Sequence, residues 1–106
     1  DAFVEQCELV RGACSAIGRD PSSLKYTVAQ ATVCGSNVAE VERRTKKIGR
    51  EVVELRANGL CGTPDELVNK IRGWNQAGAE TIYMQILDLD DLDQIDLLGK
   101  EVLPHV

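Results

Sequence analysis

Apolar positions along this chain fall into two kinds of repeat. Phe3, Cys7, Val10, Cys14 and Ile17 step by 4, 3, 4 and 3, which predicts a helix over 2–17 with one apolar stripe. Gly18 suits the residue just past a helix end, and Arg19-Asp20-Pro21-Ser22-Ser23 reads as a turn. Residues 25–34 predict a strand, with Val28 and Val33 on opposite faces and alanines between them. Both faces are then apolar or small, as in a strand covered on each side. Helical period returns with Val38, Val41, Thr45, Ile48, Val52 and Leu55, stepping by 3, 4, 3, 4 and 3 through Gly49. One long helix or two coaxial pieces are expected across 37–57, with that stripe toward the core. Glu42, Arg43, Lys46, Lys47 and Arg50 form the opposite, solvated face.

Asn58-Gly59-Leu60-Cys61-Gly62 reads as a loop. Thr63-Pro64-Asp65-Glu66 then starts a helix: Thr63 caps, Pro64 fits the first helical position and Glu66 completes a capping box. Leu67, Val68, Ile71 and Trp74 mark the buried face of that helix, over 64–77. Residues 81–87 predict a second strand, apolar on both faces except at Gln85. Asp88 to Asp96 carries five aspartates and opens a last helix through Leu103, closed by Pro104.

Two strands joined by about 46 residues of helix-containing chain are expected to be parallel, with a right-handed crossover. Two such strands alone leave rows of main-chain N–H and C=O groups without partners. Further strands are therefore expected from residues outside this chain. A (β/α)8 barrel is one fold that supplies them.

The remaining composition narrows function. The 106 residues allow one domain, and 12 basic against 17 acidic side chains give a formal charge of −5. That balance argues against a nucleic-acid partner or an anionic membrane surface, both of which need a basic face. No apolar run approaches the roughly 20 residues of a membrane-spanning helix. Cys7, Cys14, Cys34 and Cys61 include no Cys-x-x-Cys pair, and His105 is the single histidine, so a zinc cluster is not expected. We read the four thiols as reduced core residues of a cytoplasmic protein. The chain begins at Asp1 with Met84 as its one methionine, which predicts a fragment or a processed piece, and with no basic-then-apolar opening a signal peptide is not expected.

Few residues invite chemistry. Counted from Asp88, a calcium loop would need Gly at Asp93 and Glu at Gly99, so the aspartates read as helix-start residues. The turn Gly59–Pro64 precedes a helix, but Asp65 and Glu66 would repel a phosphate there. Gly35-Ser36-Asn37 is a cleaner anion site, with no acid before Glu40, although a helix cap is the simpler reading. Gln85, the lone polar residue of its strand, needs hydrogen-bond partners if buried, either neighbouring backbone or a bound ring system. No Ser-His-Asp set, glycine-rich dinucleotide fingerprint or catalytic carboxylate pair is visible.

A wider pattern runs from Arg19-Asp20-Pro21 through Thr-Val-Ala-Gln-Ala-Thr-Val-Cys-Gly and Ala39-Glu-Val-Glu-Arg-Arg44. It continues through Gly59-Leu-Cys-Gly-Thr-Pro64, Gly78-Ala-Glu-Thr-Ile-Tyr-Met-Gln-Ile-Leu-Asp-Leu-Asp-Asp-Leu-Asp93 and Glu101-Val-Leu-Pro104. Taken together these segments resemble the luciferase-like monooxygenase superfamily, closest to its deazaflavin-dependent oxidoreductases. The resemblance implies that 1–106 is the C-terminal segment of one TIM-barrel domain. Strands 25–34 and 81–87 would be its last two strands, and 36–62 an extra segment above the mouth. It further implies hydride transfer between coenzyme F-420, or alternatively FMN, and a small organic substrate. Under it Gln85 and Ser36 are the candidate cofactor-binding residues, and the catalytic residues lie on strands outside this chain. The expected partners are that substrate and the rest of the barrel or a second copy, as in a homodimer. The competing expectation is a stand-alone α/β module that oligomerises through its strand edges and the 38–55 stripe.

Overall fold

The structure, a computed structural model, describes residues 2–106. In chain order its elements are α1 (Ala2–Ala16), β1 (Thr27–Cys34), α2 (Val38–Lys47), α3 (Val52–Asn58), β2 (Leu60–Gly62), α4 (Pro64–Gln76), β3 (Thr81–Gln85) and α5 (Leu92–Leu97). A π-helical turn, Leu98–Val102, and a short 3-10 turn, Leu103–His105, follow α5.

The three strands form one parallel sheet in the order β2-β1-β3. Thr32, Val33 and Cys34 of β1 stand opposite Leu60, Cys61 and Gly62, and Thr27 to Ala31 stand opposite Thr81 to Gln85. The chain is thus a small α/β domain in which parallel strands alternate with helices, and its sheet is open. β2 corrects the expectation of a loop over 58–62 and of two strands only. It is three residues long, too short for an alternating pattern to register, and it exists because Leu60 and Cys61 each bury on one face of the sheet. Gly59 makes the approach to β1 feasible: a Cβ there would lie 2.6 Å from the Ala31 carbonyl oxygen.

Of the alternatives expected over 37–57, one long helix or two pieces, the structure takes two helices, because Gly49 adopts φ 72° and the Arg50 N–H reaches back to the Thr45 carbonyl at 3.1 Å, closing α2. Two other boundaries move. The second strand ends at Gln85 and not Leu87. The last helix begins at Leu92 and not Asp88, since Asp88 accepts the Asp90 N–H at 3.2 Å in a turn and Asp91 caps α5 through the Gln94 N–H at 3.1 Å. At the end of α1, Gly18 takes φ 74° and the Arg19 N–H bonds the Cys14 carbonyl at 2.8 Å, the closure expected of that glycine.

Alternation along β1 divides the core in two. Cys34 and Leu60, on one face, join Leu67, Val68, Leu98 and Val102, with Trp74, Ile82 and Met84 packed around them. Val33 and Cys61, on the other, join Val41 and Leu55, with Ile48 and Val52 alongside. The stripe is therefore core from Val41 to Leu55, while Val38 at its start is exposed, and Thr45 within it satisfies its hydroxyl on the Val41 carbonyl at 2.7 Å. Each fully buried Leu or Val contributes on the order of 1.5–3 kcal/mol. All four cysteines are buried free thiols.

The second face is covered only toward the C-terminal end of the strands. Thr27, Ala29, Tyr83 and Gln85 share its other half, and all four are exposed, Tyr83 by 59%. The expectation of cover on both faces thus holds for one face and half of the other. α1 packs across the strand starts, where Phe3 meets Trp74 edge-on at 5.3 Å and Arg11 lies 4.9 Å over the Tyr26 ring. The chain is elongated, 50 × 27 × 22 Å, with a radius of gyration of 15.8 Å. A compact chain of this length has about 13 Å.

Candidate functional site

Parallel α/β sheets bind ligands beyond the C-terminal ends of their strands. Here that end is occupied by a polar network built around Arg44. Alternation sets the need for it. The Gly35 N–H turns toward β2, bonding the Gly62 carbonyl at 3.2 Å, so the main-chain groups of Cys34 point to the β3 side. β3 has already ended at the level of Ala31. Side chains take the place of the missing strand: Gln94 Oε1 accepts the Cys34 N–H and Arg44 Nη1 donates to the Cys34 carbonyl, both at 2.9 Å.

Arg44 is itself buried and doubly paired. Its Nε donates to Asp91 Oδ2 at 2.8 Å and its Nη1 also donates to Glu40 Oε1. A second ion pair, Lys47 to Asp88 at 3.0 Å, joins the same two elements further out. Burial pushes the Asp91 carboxyl up, but the Gln94 N–H, the Arg44 guanidinium and Lys47 outweigh it and hold the carboxyl below its ordinary value. Burial pushes the Cys34 thiol up to about 11, against the opposing charge of Arg44. The Cys61 thiol is raised for the same first reason.

The structure places the two sequence candidates at different levels. Ser36 is exposed at the start of α2 and lines a groove of about 320 Å³ with Glu40, Arg43, Arg44 and Lys100. Its N–H, the natural anion ligand of that turn, already donates to Glu40 Oε1 at 3.3 Å, while Asn37 Oδ1 caps the helix through the Glu40 N–H at 2.9 Å. Gly35 is tightly housed, with Val41 N 2.7 Å from where a Cβ would sit. Gln85 stands opposite Ala31, exposed beside Tyr83 on the open face, so its amide is not buried as its apolar strand had suggested. The Gly59–Pro64 turn holds a carboxylate of its own: Glu66 Oε1 accepts the Thr63 N–H at 3.1 Å and hydroxyl at 3.0 Å, and Arg56 pairs with Glu66 at 2.9 Å. The aspartate run serves turns, a cap and ion pairs, and among the described residues no group of three or more His, Cys, Asp or Glu side chains is placed to hold a metal ion. No described helix is long and apolar enough to cross a membrane.

Arg44 and Gln94 carry the network, and the sequence reading singled out neither. Arg44 had a signal: it follows Val41 by three and precedes Ile48 by four, on the border of the buried stripe. Gln94 had none, standing among aspartates in a polar run.

The fold and the network define the chain as a small parallel α/β domain with a sealed strand end and one partly uncovered sheet face. The sequence matches no protein-family model, and no curated protein is similar to it.

Proposed function

We propose that this chain is the closing arc of a (β/α)8 barrel in an oxidoreductase that transfers a hydride between a deazaflavin or FMN ring and a small organic substrate. The observation that carries the barrel is the open sheet. Among the described residues β3 has no strand on its outer side, β2 reaches only three residues of β1, and one half-face bearing Tyr83 and Gln85 stands in solvent. A sheet of parallel strands normally has both faces covered, and a barrel gives every strand two neighbours. The elongated shape agrees with a part whose remaining contacts come from elsewhere. The resemblance of the Gly-Thr-Pro and Tyr-Met-Gln-Ile-Leu-Asp-Leu-Asp segments to luciferase-like proteins supplies the chemistry. In such a barrel the uncovered half-face, with Gln85 near the end of its last strand, faces the interior. The amide of Gln85 can there donate to and accept from a flavin-type ring edge.

The test is titration of coenzyme F-420 and of FMN against the protein made from its whole reading frame, followed by fluorescence. Saturable binding of one ring is expected, weakened about tenfold in Gln85→Leu by loss of one buried hydrogen-bond partner. No binding of either ring, from a reading frame with no further strands, overturns the proposal. The competing module has lost its seam from Val41 to Leu55 to the core. What remains of it is β3's bare outer edge. Sedimentation of this chain as a stable, strand-paired dimer would favour that reading.

A further inference from the structure

Residues 86–97 run from the end of β3 to the end of α5, and most of what holds them to the body is polar. Asp91 binds Arg44, Asp88 binds Lys47 and Gln94 binds the Cys34 N–H. Ile86 and Leu97, at the two ends, are the apolar residues of the segment that pack on the core. Between them Leu87, Leu89 and Leu92 point to solvent, Leu89 by 75%. Beyond Leu97 the helix changes to a π turn, and Leu98 and Val102 anchor that turn in the core at 5% and 0% exposure. Single π turns of this kind interrupt α-helices and sit frequently at functional sites.

We infer that residues 86–97 form a strap over the C-terminal end of β1, fastened to α2 and β1 by Asp88, Asp91 and Gln94, whose local opening uncovers Cys34. The pairing of Arg44 makes opening affordable. When Asp91 leaves, Arg44 keeps Glu40, on its own helix, and the Cys34 carbonyl, so no buried charge is stranded. The freed Cys34 N–H and the strap's own polar groups meet water. Lys47 of the Lys47–Asp88 pair is largely exposed whereas Arg44 of the Arg44–Asp91 pair is buried, so the latter pair and Gln94 hold the strap most firmly. Cys34 lies in the core cluster with Leu97 and Leu98, whereas Cys61 lies on the other face of the sheet and Cys7 and Cys14 in α1.

The four thiols therefore report where the molecule opens. The protein and its Asp91→Asn variant are treated with N-ethylmaleimide at one fixed pH, and labelling of each cysteine is followed by mass spectrometry. In the variant, Cys34 is expected to label about tenfold faster, the loss of one charge-assisted hydrogen bond, while Cys7, Cys14 and Cys61 change little. Cys34 and Cys61 accelerating together, or Cys34 not changing, overturns the inference. Hydrogen exchange of the unsubstituted protein stands beside this, whether or not the variant folds. Amides of 86–97 are expected to exchange at least about tenfold faster than those of 28–33. Exchange of both segments in concert likewise overturns the strap.

Discussion

Gln94 Oε1 accepts the main-chain N–H of Cys34 at 2.9 Å, across sixty residues of sequence, in a place where a sheet would ordinarily offer a carbonyl. The side chain replaces a strand residue that β3 does not supply. Removing it leaves a buried N–H without a partner. Gln94→Leu is expected to destabilise the fold by about 1–3 kcal/mol, measured as a shift of the urea midpoint. The size of the side chain is nearly kept in this variant, so a cavity contributes little to the loss.

Asp91 gives the fold an acid-sensitive joint. Its carboxyl lies below the ordinary 3.8 when folded, so the folded state binds that proton less readily than the unfolded chain does. Its contribution is fully present above 3.8 and is lost as pH falls from there through the lower folded value. The stability gap between the protein and Asp91→Asn is therefore expected to be constant near neutrality and to narrow by about pH 3, in urea titrations at the two conditions.

Cys34 works in the opposite direction. Its folded thiol titrates at about 11, above the ordinary 9.0, because burial disfavours the thiolate. The unfolded chain loses the proton first, so the contribution is complete below 9.0 and declines as pH rises toward 11. The protein is expected to lose more stability than Cys34→Ala does between about pH 8 and pH 10.5. Parallel losses in the two would contradict the assignment.

Two glycines in ordinary-looking surroundings are expected to respond with opposite signs. A Cβ at Gly59 would press against the Ala31 carbonyl, part of the β1 backbone, so Gly59→Ala costs about 1–3 kcal/mol. Gly73 lies inside α4 with nothing within 4 Å of a built Cβ, and Gly73→Ala stabilises by about 0.5–1 kcal/mol. Thermal melts of the two variants decide both.

Helices and long strands were legible because their signals are periodic. The capping box at Thr63 and Glu66, the stop at Gly18 and the core role of Val41, Thr45 and Leu55 all follow from spacing or from one residue's conformational preference. β2 was not legible, since three residues hold no period and Leu60 and Cys61 become a strand only by meeting β1. The stripe keeps its phase across Gly49, so spacing left one helix and two pieces both open, and the positive φ of Gly49 decides for two. Gln85 read as buried because its neighbours are apolar, yet the uncovered half-face leaves it in solvent. The Arg44 network was legible only in part, for it depends on where β3 stops, a tertiary fact with no local mark in the sequence.

The order in which the chain leaves the ribosome gives the Cys34–Gln94 bond a kinetic meaning. β1, α2 and α3 emerge before α5, and the upper end of β1 stays hydrated until residues 88–97 follow to stopper it. Closing that corner comes after its strand has formed, because so distant a pairing must wait for loop closure. A nascent chain stalled shortly before residue 94 would hold its central strand with one end still frayed.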